Sequence, residues 1–154
     1  MGKRIAVLEQ FVAHDKYVFV APVWEFTFPA VLKKYLDTIS VPQVTFNFNE
    51  HGLADGVLKG RKAIFIQSSG SSHFHLSGMQ ELDDLLKNEN LSNTLKTLVE
   101  SIENHGLAIL KSVLASMGII DLKSIIAHSQ MIPNVKDKVL EDAIIEAINL
   151  ANEW

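Results

Sequence analysis

Two short segments concentrate the side chains that could meet a ligand. Pro22-Val23-Trp24-Glu25-Phe26-Thr27-Phe28-Pro29 sets three aromatics between two prolines. Prolines pre-set the backbone, so successive N–H groups can face whatever occupies the loop. A flat conjugated ligand suits such a loop, with aromatic contact for its faces and amide donors for its heteroatoms. The competing reading is that these aromatics pack over a sheet edge, since aromatics are usually core. The second segment, Ser68-Ser69-Gly70-Ser71-Ser72-His73, is small and hydroxyl-rich. Its serines can donate to carbonyl oxygens or phosphate, and Gly70 permits close backbone approach. Ser/Gly loops are also ordinary turns, so this segment alone specifies little.

Other chemistries find no support. The nucleophile elbow Gly-x-Ser-x-Gly is absent, and no Asp–His pair is placed by spacing. His73 and His75 stand two apart in a loop, without the helical i, i+4 geometry of the usual zinc signature or a convincing third ligand, so no metal is expected. Asp83-Asp84 and Glu141-Asp142 lie on polar helical faces where solvation accounts for them. Cysteine is absent, which removes disulfides and thiolate chemistry. With 14 Lys and Arg against 18 Asp and Glu the formal charge is −4, and no basic block invites nucleic acid. No apolar run approaches the ~20 residues needed to cross a bilayer, so no membrane partner is expected and the default address is cytoplasmic.

The elements that must position the two loops can be read from periodicity. Ile5, Val7-Leu8 and Phe11-Val12 recur at helical spacing. Lys16 to Ala21 is β-branched, aromatic and continuously apolar, the mark of a strand buried on both faces of a parallel sheet. Ala63 to Ser68 repeats the pattern, and Ser124 to His128 is a weaker copy. Helices fill the intervals. Phe28 to Ile39 carries Pro29 in its first turn. A long stripe from Leu95 to Met117 is weakened by Gly106 and stopped by Gly118. A last helix follows Pro133, with Asn134 as its cap. Strands alternating with helices predict an α/β domain with a parallel sheet, and ligands of such sheets sit beyond the carboxyl ends of the strands. Both chemical loops end strands, so both belong to one rim.

At these residues a family resemblance enters. Residues Ala21 to Thr38 resemble the Pro-x-x-Asn-Phe…Pro-x-x-Leu-Lys-x-Tyr-x-Asp segment of FMN-dependent NADH-azoreductases, in the flavodoxin-like quinone reductase superfamily. Thr45 to Gly52 is similar to that family's Thr-Phe-x-Tyr-Thr-x-x-Gly hairpin, and Gly56 to Ala63 to its Gly-Leu-x-x-Gly-Lys-Lys entry into the next strand. The resemblance implies a flavodoxin-like parallel sheet with flanking helices and a homodimer holding non-covalent FMN at the subunit interface. NADH or NADPH would reduce the flavin, which passes hydride to a quinone or azo compound in a ping-pong cycle. By position, Pro22, Val23, Trp24, Glu25 and Phe26 would wrap the isoalloxazine. Ser68, Ser69, Gly70 and Ser71 would contact its far side, and His73 matches a family histidine near the ring. Phe46 and Phe48 would form part of the substrate wall.

The chain also departs from the family. Glu25 stands where the family has Asn, and a carboxylate there opposes a reduced, anionic ring. Ser71 replaces a glycine, and Val41-Pro42-Gln43 replaces an Ala-Gly-like turn. From Leu76 to Asn104 the resemblance fades, which implies a helical insertion within one partial flavodoxin-like domain spanning 1–154. Family members begin with a strand, a serine-rich phosphate loop and a helix, then a second strand. This sequence starts at the following helix, so the phosphate site and the strand beside Tyr17 to Ala21 are expected to be missing. Two readings stay open. The first is an FMN-dependent oxidoreductase. The second is a truncated, non-catalytic flavodoxin-like protein, or one half of a split flavoenzyme, without FMN binding of its own.

Overall fold

The computed structural model describes residues 2–71, 93, 97 and 104–154. The chain enters through α1 (Gly2–Val12) and β1 (Lys16–Pro22), then crosses through α2 (Ala30–Ile39), the hairpin strands β2 (Phe46–Phe48) and β3 (Ala54–Gly56), and β4 (Lys62–Ser68). After the undescribed stretch come α3 (His105–Ser116), β5 (Asp121–Ala127) and α4 (Lys136–Glu153). The predicted insertion lies almost wholly outside the described residues.

The three long strands form one parallel sheet in the order β1-β4-β5, while β2 and β3 pair antiparallel beside it. The fold is the expected α/β class with a parallel sheet. Residues at matching register positions share a face. Tyr17, Phe19 and Ala21 of β1 join Ala63 and Phe65 of β4 on the side where Phe11, Leu36, Ile39, Leu110, Leu114 and Met117 complete the core. Burying each large apolar side chain contributes roughly 1.5–3 kcal/mol, so this cluster supplies most of the driving force.

Three local expectations need correction. β1 is not buried on both faces: Val18 is 52% and Val20 70% exposed, because β1 lies at the sheet edge and, among the described residues, the end of α4 reaches its second face beside Lys16 and stops short of Val20. Gly106 is not a weak spot inside a helix. It stands in the first turn of α3, where a Cβ would lie 2.9 Å from Gln67 Nε2 and 3.4 Å from Phe28 N, so glycine there suits the close approach of α3 to β4. Asn134 does not cap α4; Val135 precedes the helix with no side-chain cap, after Val135 and Lys136 N–H both turn back to Ile132 O. Gly118 does end α3 as expected, with φ of +94° just past the helix.

Candidate functional site

The carboxyl ends of β1 and β4 bring the two chemical loops together. Pro22 and Ser68 are register partners, and Val23 N–H donates to Ser68 O at 2.7 Å, tying one loop to the other. Beyond Val23 the backbone reverses sharply. Trp24 and Thr27 exchange both backbone hydrogen bonds, 2.7 and 3.1 Å, while Glu25 and Phe26 at the tip have φ of +46° and +67°. Two successive positive φ values match the primed turns that close tight two-residue reversals, in which Asn and Gly are the favoured residues. Glu25 therefore sits in a conformation that its side chain disfavours.

The turn lifts its aromatics outward. Trp24 is 63% and Phe26 36% exposed, whereas Phe28 is 4% exposed and belongs to the core. The packing reading thus holds for Phe28 and not for Trp24. Thr27 Oγ1 is buried beside them without a hydrogen-bond partner. At the end of β4, Gln67 is fully buried; its Oε1 accepts from Asn104 Nδ2 at 2.7 Å, and its Nε2 has no partner. An orphaned buried donor costs about 1–3 kcal/mol, so two such groups at one end of the sheet mark a place not optimised for stability.

The Ser-Gly turn is more enclosed than its composition suggests. Ser68 is exposed, but Ser69 is buried and its hydroxyl donates to Ser71 O at 2.8 Å. A third loop, absent from the sequence reading of the rim, packs against it. Ser69 N–H donates to Ala127 O, Gln130 N–H to Ser69 O and Met131 N–H to Gly70 O, all within 2.9–3.0 Å. A Cβ on Gly70 would lie 2.6 Å from Met131 Sδ, so the bare side of that glycine is met by a methionine that is itself 83% exposed. The general rule that every strand of a parallel sheet ends at the ligand rim was the available signal for His128 to Met131. His73 lies outside the described residues.

Phe46 and Phe48 stand elsewhere. Their rings meet edge to face at 5.3 Å on the hairpin, and Phe48 is 64% exposed. The hairpin is anchored at the opposite, amino end of the sheet: Thr45 Oγ1 donates to Ile39 O at 3.0 Å, and Gly56 packs on Met117 and Gly118. Within one chain these phenylalanines do not join the two rim turns. Away from the rim, burial and then the neighbouring Tyr17 raise the Tyr35 phenol on α2 above its ordinary range.

The comparisons agree with this architecture. Residues 3–98 match the family described as "Flavodoxin-like fold", and the chain belongs to that family. An "FMN-dependent NADH:quinone oxidoreductase" of Trichlorobacter lovleyi is 33% identical over 150 residues, 96% of this chain and 59% of the relative. A solved FMN-dependent NADH-azoreductase of Bacillus anthracis in complex with FMN superposes with a TM-score of 0.68 at 25% identity, covering 97% of this chain and 62% of that one. Another Bacillus anthracis azoreductase gives 0.77 at 19% identity, covering 99% and 63%, a likeness of fold. The chain thus spans about three fifths of the length of these relatives. No helix among the described residues is long and apolar enough to cross a membrane.

Proposed function

We propose that the chain forms the ring-binding part of an FMN-dependent NAD(P)H oxidoreductase acting on quinones or azo compounds. The observation that carries this reading is the joined rim, where Val23 N–H donates to Ser68 O and the exposed Trp24 turn stands beside the Ser-Gly turn. The relatives' printed names supply the cofactor and the reaction class. Pro22, Val23, Trp24, Glu25 and Phe26 would hold one side of the isoalloxazine, with Ser68, Gly70 and Ser71 on the other and Ser69 bracing the turn from within. His73, which the resemblance sets near the ring, lies outside the described residues. FMN, once bound, supplies hydride transfer between nicotinamide and acceptor. The residues of this chain then orient the ring and shield it from water.

The rim suits the ring better than the phosphate. Exposed aromatics and unpartnered polar atoms fit a planar heterocycle. The turns 22–28, 68–71 and 128–132 contain no Lys or Arg to meet a dianion. This supports a second reading, a flavodoxin-like module that does not bind FMN by itself. Phe46 and Phe48, anchored at the far end of the sheet, could wall the acceptor site only from a second copy, so the full site is proposed to be homodimeric.

FMN titration followed by flavin fluorescence and absorbance separates the two readings. Bound flavin that NADH bleaches and a quinone restores is the expected result for the oxidoreductase. Saturating FMN with no bound flavin would leave only the module.

A further inference from the structure

Strand β5 runs into a loop that comes to rest on the Ser-Gly turn. Ile132 N–H donates to Ser129 O at 2.9 Å, which makes Gln130 and Met131 the tip of a tight reversal. Turn tips favour Gly, Asn, Asp, Ser and Pro, each for a backbone or hydrogen-bonding reason, and none of those reasons calls for methionine. Ser129, which opens the reversal, is buried with φ of +59°, a conformation that serine disfavours, and its hydroxyl lies 2.7 Å from His128 Nδ1. The loop is held in this shape from outside. Ser69 N–H donates to Ala127 O, Ser129 N–H to Ser71 O, Gln130 N–H to Ser69 O and Met131 N–H to Gly70 O, all within 2.9–3.1 Å. Four backbone bonds thus zip residues 69–71 to residues 127–131.

Met131 lies across the end of that zipper. Its Cγ and Sδ come within 2.8 and 2.6 Å of where a Cβ on Gly70 would stand, so the side chain fills the place that the glycine leaves bare. The rest of the residue faces solvent, at 83% exposure. A thioether so placed is reachable from water and is also part of the packing of one turn on another. Met117 provides the contrast within the same chain, because it is fully buried in the core. Met1 and Met79 lie outside the described residues. Leucine would cover Gly70 with similar volume, so what methionine adds at this position is an oxidisable sulfur.

We infer that Met131 is a modification site for hydrogen peroxide, and that its oxidation to the sulfoxide opens the zipper between the 127–131 loop and the Ser-Gly turn. In the step, the sulfur lone pair attacks one peroxide oxygen. The S–O bond forms as the O–O bond breaks, sulfur gives up two electrons, and the other oxygen leaves as water. The product is polar and more strongly hydrated than the thioether, so it favours water over the apolar contact with Gly70. When the side chain turns away, the bonds from Gln130 and Met131 lose their cover, and the unfavourable φ of Ser129 is free to relax. The change is reversible, because sulfoxide reductases return the thioether. Where the proposed flavin site is right, the loosened turn is one of the two that hold the ring. The inference itself rests on the contact of Met131 with Gly70 and requires no flavin.

The test treats the full chain with hydrogen peroxide at neutral pH, quenches it with catalase, and follows each methionine by peptide mass spectrometry. Met131 sulfoxide is expected to form about tenfold faster than Met117 sulfoxide. In the oxidised chain the amides of Ser69, Ser129, Gln130 and Met131 should exchange hydrogen about tenfold faster, while those of Ile64 and Ile125 in the strands stay as they were. Sulfoxide reductases acting on both epimers should restore the slow exchange. Met131→Leu should keep the exchange slow and make it insensitive to peroxide, and Met131→Gln should speed it without peroxide. Three results would overturn the inference: Met131 oxidising no faster than Met117, oxidised Met131 with unchanged exchange at the zipper, or a Met131→Leu chain that responds to peroxide as the parent does. Flavin enters none of these readouts, so a failure here and a failure of the flavin reading are told apart.

Discussion

At the amino end of the parallel sheet, Arg61 Nη1 donates to Val12 O, His14 O and the Tyr17 hydroxyl within 2.6–2.9 Å, binding the end of α1 to the start of β1. There too Gly56 packs against the backbone at the end of α3. At the carboxyl end, Glu25 and Phe26 hold positive φ values, Trp24 faces solvent, and Thr27 Oγ1 and Gln67 Nε2 are buried without partners. One end spends its polar groups on structure, and the other keeps strain and unpaired donors where a ligand would arrive. Local cost concentrated in one place is what a binding site carved into a stable scaffold leaves behind.

The sharpest way to break this contrast is substitution at the amino end. Gly56→Ala would place a methyl 1.9 Å from Met117 C and Gly118 N, atoms that cannot swing aside. A loss of about 3 kcal/mol in denaturant unfolding is expected. Arg61→Met should cost about 2 kcal/mol, since three carbonyl or hydroxyl acceptors lose a charged donor, and Arg61→Lys should restore only part because one ammonium lacks the planar fork. At the rim the same measurement should respond weakly. Gln67→Met removes an unpaired buried donor and, with it, the acceptor of Asn104 Nδ2, at similar volume; the two changes offset, so stability should change by less than about 1 kcal/mol despite complete burial. A loss comparable with that at Gly56 would show that the rim is built like the rest of the core. Glu25→Asn should raise stability by about 0.5 kcal/mol, because asparagine tolerates the left-handed region.

The smallest effect concerns neither end. Tyr35 holds its proton more tightly in the folded than in the unfolded chain, because its phenol is partly buried and lies near Tyr17. Stability is therefore expected to be flat on this account below pH ~10 and to fall as the pH rises beyond it. Tyr35→Phe should shallow that alkaline decline in a pH series of thermal unfolding, leaving neutral-pH stability nearly unchanged.

Much of the architecture was legible because it depends on local pattern. The runs at Lys16 and Ala63 became parallel strands, Gly118 ended a helix, and the Thr45 to Gly52 segment opened a hairpin whose second strand, Ala54–Gly56, lies just beyond it. The motifs at Pro22 to Thr38 pointed to the family that residues 3–98 match. What escaped involved partners distant in sequence. Gly106 looked like a flaw in a helix until Gln67, thirty-nine positions earlier, was found against it. The His128 to Met131 loop carries no distinctive composition, yet its backbone holds the Ser-Gly turn in place.

Residue type and spacing determined, without coordinates, that this chain is an α/β domain with aromatic and hydroxyl-rich turns at the ends of its strands. Periodicity encodes which residues share a face, and turn chemistry encodes where the backbone reverses. Only the tertiary structure decided that Trp24 faces outward while Phe28 is core, that Met131 meets Gly70, and that Val20 is left exposed among the described residues. Burial is a property of what lies opposite a side chain, and no residue's own identity or near neighbours specify that.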